Sequence, residues 1–426
     1  MSSVKPDEGP SGTAAGPAEG QSERVAEARF YELDILRGLA AFLVVVFHYK
    51  HFLTEDAINF DYDHLPFHAV LTPIYVYGLM FVEMFFSISG YVFFWLYSKA
   101  VSERRLGAQS FFIARFARLY PLYFVTFIAV AVMQVVFYAL YGQTYIYQNN
   151  TPVQFVLNLF MVHQWWPFHA TQTFNGPSWS LSVEVFLYIA FFILASTRLN
   201  RPLILIVVSV AAIVFNLFQS VDTLWGLSRG VASFFLGGLV FYAVDALRRP
   251  GREIWRRRVS AVLVWLLPCL WGLSYIRSQP LIWDHFAPRL PDSFVWYFMS
   301  SSGFVYIVVP LTLFLLGLKQ GQWALKVLTP ERLHRFAWVG DISYSLYLIH
   351  FPLQIGIMIL MEHWPFAVRV AVFSSPLALI VFLSVAAGLA RLSFVYFEMP
   401  MREWVKTWLT RRLSRAAVKG EPKKAA

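Results

Sequence analysis

The chain has 426 residues; 58% are hydrophobic, 18% aromatic and only 14% charged, with a mean hydropathy of +0.55. A soluble domain of this length could not cover so much apolar surface, so the composition excludes a water-soluble globular protein and indicates a polytopic membrane protein. The net charge of +10 needs no nucleic acid to explain it, because membrane topology and anionic lipid account for an excess of Lys and Arg.

Residues 1–28 are rich in Gly, Ala, Pro, Ser and Glu and have no apolar core. They are neither a signal nor a transit peptide and are expected to form a disordered cytoplasmic tail. Ten apolar segments follow, near 33–53, 70–98, 111–140, 177–197, 203–219, 227–246, 260–277, 294–317, 339–361 and 367–391. Backbone groups in lipid must be paired internally, and these lengths fit helices rather than barrel strands. The expected fold is therefore all-α, a bundle of about ten transmembrane helices at 29–402, with a basic cytoplasmic tail at 403–426.

The first segment holds both Arg37 and His48. Ionisable groups in lipid are costly and mark functional sites by default. Eleven steps of about 100° bring the two side chains onto nearly one helix face, about 16 Å apart along the axis. A snorkelling arginine and a satisfied core histidine would look the same. In the second segment Glu83 is a buried carboxylate, suited to a chemical role or to pairing with an arginine on a neighbouring helix.

The third segment opens with Arg115-Phe-Ala-Arg118-Leu-Tyr-Pro121. Its two arginines are three apart and share a face at the membrane mouth. There they suit bidentate contacts to a phosphorylated ligand, or simple anchoring at the positive side of the membrane. Before the fourth segment come His163, Trp165, Trp166 and His169; sugar stacking and interfacial anchoring explain the tryptophans about equally well. That segment begins Asn175-Gly-Pro-Ser-Trp-Ser180-Leu-Ser182-Val-Glu184. Ser180 and Glu184 are four apart on one face, and a carboxylate there suits orienting a histidine or receiving a hydroxyl proton.

In the ninth segment Ser343 and His350 are seven apart and share a face, whereas Asp341 and His350 fall on opposite faces. His350 reads as slightly more structural than catalytic, because Pro352 frees backbone groups that a polar side chain would satisfy. Glu398-Met-Pro400 closes the last segment.

Lys and Arg crowd the stretches that an even span count places with the amino terminus, among them Arg104, Arg105, Arg248, Arg249, Arg252, Arg256, Arg257, Arg258, Lys319 and Lys326. The opposite loops carry only Lys50, Arg277 and Arg289. Both termini are therefore expected in the cytoplasm. The single cysteine, Cys269, has no disulfide partner, and no metal-ligand spacing surrounds it. No P-loop, dinucleotide fingerprint, nucleophile elbow or zinc-protease motif occurs.

In their order, these segments resemble the acyltransferase 3 family of integral-membrane O-acyltransferases. The resemblance rests on Leu33-Asp-Ile-Leu-Arg37-Gly-Leu-Ala-Ala41 with His48, Glu83 to Gly90, Arg115 to Pro121, Trp179 to Glu184, Ile342 to His350 and Glu398 to Pro400. It covers about 29–402. It implies transfer of an acyl group, often acetyl, from cytoplasmic acyl-CoA to a hydroxyl of a carbohydrate or glycolipid at the far side of a bacterial inner membrane. On that reading Arg37 and His48 are the essential pair, with Glu184 assisting, and Arg115 and Arg118 join Arg37 in holding the donor. Glu83, Ser180, Ser182, Ser343, His350 and Glu398 would support the site. No tightly bound cofactor or metal is implied; the partners are the bilayer, acyl-CoA and the acceptor. The chain would be the standalone type, without the esterase-like domain that some relatives carry. A proton-coupled transporter is the competing expectation, since ten helices with buried His, Glu and Arg also describe such proteins. No convincing two-half repeat supports it.

Overall fold

The computed structural model describes residues 30–54, 60–167, 172–218, 224–277, 301–319 and 330–420. The expected tail at 1–28, His169, Arg289, Lys326 and residues 294–300 of the eighth expected span lie outside the described residues. Within them the protein is all-helical, with no strands. In chain order the helices are α1 (Tyr31–Tyr49), α2 (His68–Tyr77), α3 (Met80–Ser102), α4 (Ala108–Tyr141), α5 (Pro152–Leu159), α6 (Trp179–Ser196), α7 (Pro202–Phe218), α8 (Trp225–Arg248) and α9 (Glu253–Arg277). They continue with α10 (Ser301–Lys319), the short α11 (Pro330–His334) and α12 (Ala337–Asp341), then α13 (Ser343–Met361), α14 (Phe366–Phe373), α15 (Pro376–Ser393) and α16 (Met399–Gly420).

Among the described residues, seven helical stretches are long and apolar enough to cross a membrane, including α3, α4, α6, α8, α9 and α13. The seventh is continuous: a π-turn at Phe394–Glu398 joins α15 to α16, and the apolar span runs from Pro376 to Leu413. Two shorter apolar helices, Pro202–Asn216 and Val305–Lys319, stand beside them. α1 is 19 residues long but carries Glu32, Asp34 and Arg37 in its first two turns.

Two expected spans are divided. Residues 70–98 form α2 and α3, not one helix. The stretch exceeds the roughly 20 residues that cross a bilayer, and it breaks where Gly78 lies against Phe47 too closely for a side chain. Residues 367–391 form α14 and α15, split at Ser374–Ser375, where Ser375 caps α15 by accepting from the Leu377 N–H.

Close backbone approaches set the packing. α3 and α8 cross where Gly90 meets the Phe234 carbonyl and Gly237 meets the Ser87 carbonyl. Small residues allow such contact, the usual device where lipid supplies no hydrophobic drive between helices. α7 and α10 flank α8, while α13 packs on α1, α4 and α15. α1 also packs on α3, joining the two groups. A cavity opens at that junction.

Candidate active site

The cavity holds about 180 Å³ and is lined by α1, α3, α4, α6 and α13. Along α3 its lining runs from Val82 to Tyr97, which at helical rise is about 22 Å. It is long and narrow, and its polar groups are concentrated at defined places.

Arg37 projects into it from α1. Gly38 and Gly340 let α1 and α12 touch: a Cβ on Gly38 would lie 2.6 Å from the Val339 backbone, and one on Gly340 would meet the Asp34 backbone. This contact aims Arg37 at the turn between α12 and α13. Its Nη2 donates to the Gly340 carbonyl at 2.9 Å, its Nε donates to Ser343 Oγ at 3.1 Å, and Asp34 pairs with it at 3.3 Å. The side chain keeps 27% exposure, so part of the guanidinium faces the cavity.

Arg115 and Arg118 both line the cavity from α4, as their spacing suggests. Arg115 donates to Tyr97 Oη at 3.1 Å and lies over the rings of Phe93, Tyr97 and Tyr188. Arg118 makes no ion pair within 4 Å among the described residues, although Glu184 and Glu398 lie within electrostatic reach. From α6, Ser180 and Glu184 also reach the cavity. Tyr188 donates to Glu184 Oε1. Ser180 shares a 2.8 Å hydrogen bond with Tyr347 Oη, which itself donates to the Pro177 carbonyl.

Two of the predicted residues, Glu83 and Ser182, are used elsewhere, while Glu398 stays within electrostatic reach of Arg37 and Arg118. Glu83 forms a fully buried ion pair with Arg229 of α8, and the Arg229 guanidinium stacks 3.9 Å from the Trp225 ring. Ser182 faces the preceding loop, where its Oγ accepts from the Gln164 N–H and its carbonyl accepts from Trp165 Nε1. Glu398 sits in the π-turn and accepts from Ser345 Oγ at 2.6 Å.

His48 does not line the cavity. It lies past its inner end: Tyr347 lines the cavity and packs on His350, and the His350 ring is 5.0 Å from that of His48. Thus the α1 face bearing Arg37 and His48 meets the α13 face bearing Ser343 and His350. His48 Nδ1 bonds the Val44 carbonyl at 2.9 Å and His350 Nδ1 bonds the Leu346 carbonyl at 3.2 Å. A carbonyl only accepts, so both rings carry a proton on Nδ1, and in the neutral ring Nε2 is then the acceptor.

His350 is not the residue that meets the backbone group freed by Pro352. Pro352 has no N–H for the Leu348 carbonyl; Asn175 Nδ2 donates to that carbonyl instead, at 3.3 Å.

Sequence reasoning passed over His51, Gln354, Arg229 and Arg402. His51 follows His48 by three residues, and the rings are 5.3 Å apart. Gln354 lies one turn beyond His350 and donates to the His48 carbonyl at 2.9 Å. Arg229, an arginine inside an apolar segment, was a legible signal for the partner of Glu83. Arg402 lies within electrostatic reach of Arg115 and Arg118; nothing in its spacing pointed there.

A multi-pass helical membrane protein with an arginine-rich internal cavity is the class that fold and site define. The sequence profile of the acyltransferase 3 family, described as an acyltransferase domain, matches residues 30–390. The chain belongs to this family. It is similar to protein 2 in the picA locus of Rhizobium radiobacter, with 34% identity over 113 residues, 26% of this chain and 48% of that protein. It is also similar to acyltransferase MdmB of Streptomyces mycarofaciens, with 29% identity over 166 residues, 38% of each chain. The chain thus spans less than half the length of these curated relatives. No solved structure matches it.

Proposed function

We propose that this protein moves an acyl group from cytoplasmic acyl-CoA to a hydroxyl of a carbohydrate or glycolipid on the far side of the membrane. The observation that carries the reading is the long cavity with Arg115 and Arg118 near one end, Arg37 on its wall, and a pair of histidines just past the other. Coenzyme A has phosphates at one end and a thioester at the tip of a thin arm. Arg115 and Arg118 hold the phosphates through charge-assisted bonds. The arm follows α3 inward past Tyr347, and the thioester reaches the His350–His48 pair, within reach of a hydroxyl held by His48.

His48 Nε2 takes the proton of the acceptor hydroxyl as its oxygen attacks the thioester carbonyl. The tetrahedral intermediate collapses with cleavage of the C–S bond. The leaving thiolate recovers the proton from His48, giving the ester and free coenzyme A thiol. Arg37, held by Gly340 and Ser343, lends positive charge along the path, and Glu184 stands by with its Tyr188 bond.

The test is donor binding. Titration of purified protein in nanodiscs with acetyl-CoA should show Arg115→Ala and Arg118→Ala each losing about 1.5–3 kcal/mol, the range for hydrogen bonds to charged groups. Lys at either position should recover little if the contacts are bidentate. Undiminished affinity in the double Ala variant would reduce both residues to membrane anchors.

A further inference from the structure

The cavity changes character along its length. Toward Arg115 and through the middle its wall is polar, with Ser89, Ser343 and Glu184 among the lining side chains. At the inner end it is hydrocarbon: Val82, Phe85 and Phe86 of α3 and Leu181 of α6 line it. Along α3, Phe85, Ser89, Val92 and Leu96 are each half-buried, line the cavity and recur at helical spacing. Phe85 is therefore the innermost member of the strip that meets the open space.

The wall behind it is held in place. The Phe86 ring lies 6.1 Å from that of Trp179, and Trp179 lies 6.1 Å from Trp225. Trp225 carries the Arg229 guanidinium, and Arg229 pairs with Glu83. α8 closes on this stack: a Cβ on Gly226 would lie 2.7 Å from the Trp179 ring, and one on Gly230 would lie 3.4 Å from the Phe86 ring. Interiors packed this closely do not absorb added methylenes without strain. Tyr347 is held as well, since its hydroxyl bonds both Ser180 and the Pro177 carbonyl.

The acyl chain is the hydrocarbon tip of the donor, and this is the hydrocarbon end of the cavity. Tyr347 packs on His350 and, 5.8 Å away, on Phe85. A thioester at the histidine pair thus has its acyl group beside Phe85. We propose that Phe85, flanked by Val82 and Leu181 and backed by the Phe86–Trp179 stack, limits the length of the acyl chain that the protein accepts. Only a short, uncharged acyl group fits, because a longer chain has to drive the Phe85 ring against Tyr347. This rests on the acyl-CoA reading above, and the two can fail separately.

The experiment titrates purified full-length protein in nanodiscs with acetyl-CoA and with hexanoyl-CoA. Empty nanodiscs correct for partition of the longer thioester into lipid. Wild-type protein should bind acetyl-CoA about tenfold more tightly or better, since one methylene in a fitted apolar pocket is worth about 10–200-fold. Phe85→Ala should bring that ratio to one or reverse it, and Phe85→Leu should move it less in the same direction. Leu96→Ala, on the same face of α3 but beside Tyr97 and Arg115, should leave the ratio where it was. The wild-type comparison needs no variant that must fold. Equal wild-type affinity for the two thioesters overturns the length limit and keeps the donor reading. An acetyl preference that persists in both Phe85 variants has the same meaning. Binding of neither thioester removes the acyl-CoA reading and the length limit with it.

Discussion

Removing Glu83 would strand Arg229 in the middle of the bundle. Both side chains are essentially inaccessible, at 0% and 1% exposure, so the survivor keeps its desolvation cost without its partner. Glu83→Ala is expected to cost about 3–5 kcal/mol, while a paired replacement by Met at 83 and 229 should recover much of it. Thermal unfolding of the purified variants measures both, and a harmless single substitution would mean that the pair is not a structural lock. His48 differs in kind. Its ring is fixed by the Val44 carbonyl rather than by a charge, so His48→Ala should leave acetyl-CoA affinity nearly intact and slow single-turnover transfer by about 10²–10⁴, as for loss of a positioned base. Transfer at the wild-type rate would exclude His48 as the base.

At the scale of the elements, the cavity depends on two helices touching. α1 and α12 meet through Gly38 and Gly340, and that contact carries Arg37 to the Gly340 carbonyl and Ser343. A methyl group at Gly38 would force the helices apart by pressing on the Val339 backbone, which has no flexible end to yield. Gly38→Ala is expected to destabilise by about 1–3 kcal/mol, the usual cost of overpacking, and to weaken donor binding by displacing Arg37. Substitution at Gly107, which has open space around it, is the control. Equal effects at 38 and 107 would count against the close contact. Asn175 shows the same dependence between elements: the loop before α6 supplies the bond that α13 lacks at Pro352.

For the molecule as a whole, the surface away from the cavity carries exposed apolar side chains, such as Trp265 at 79%, Val135 and Leu360 at 70% and Leu203 at 69%. Patches of this extent on a protein are interaction surfaces, and on a chain whose described residues include seven membrane-length apolar helices the covering is lipid. The Lys and Arg distribution then predicts cytoplasmic termini. Reporter fusions after Arg258 and after Ala426 should both read as cytoplasmic; a periplasmic signal at either would overturn the ten-span arrangement.

Composition and periodicity determined the all-helical membrane fold, because apolar run length and backbone pairing in lipid are properties of one segment at a time. For the same reason the spacing of Arg115 and Arg118, or of Ser180 and Glu184, was enough to place each pair on one cavity wall. Most of the motif segments lie on the helices that line the cavity. Which faces meet was decided only in three dimensions. Arg37 bonds Ser343 across 306 residues, Glu83 is drawn to α8 and away from the cavity, and Ser182 turns toward a loop although Ser180, two residues before it, faces the cavity. Helical spacing alone puts Ser182 about 200° around α6 from Ser180, but the partners of Arg37 and Glu83 are not encoded locally, because they depend on how closely another helix can approach. Gly38, Gly90, Gly237 and Gly340 set those distances. They also place His48 past the end of the cavity, beside a second histidine seven residues along a partner helix from Ser343.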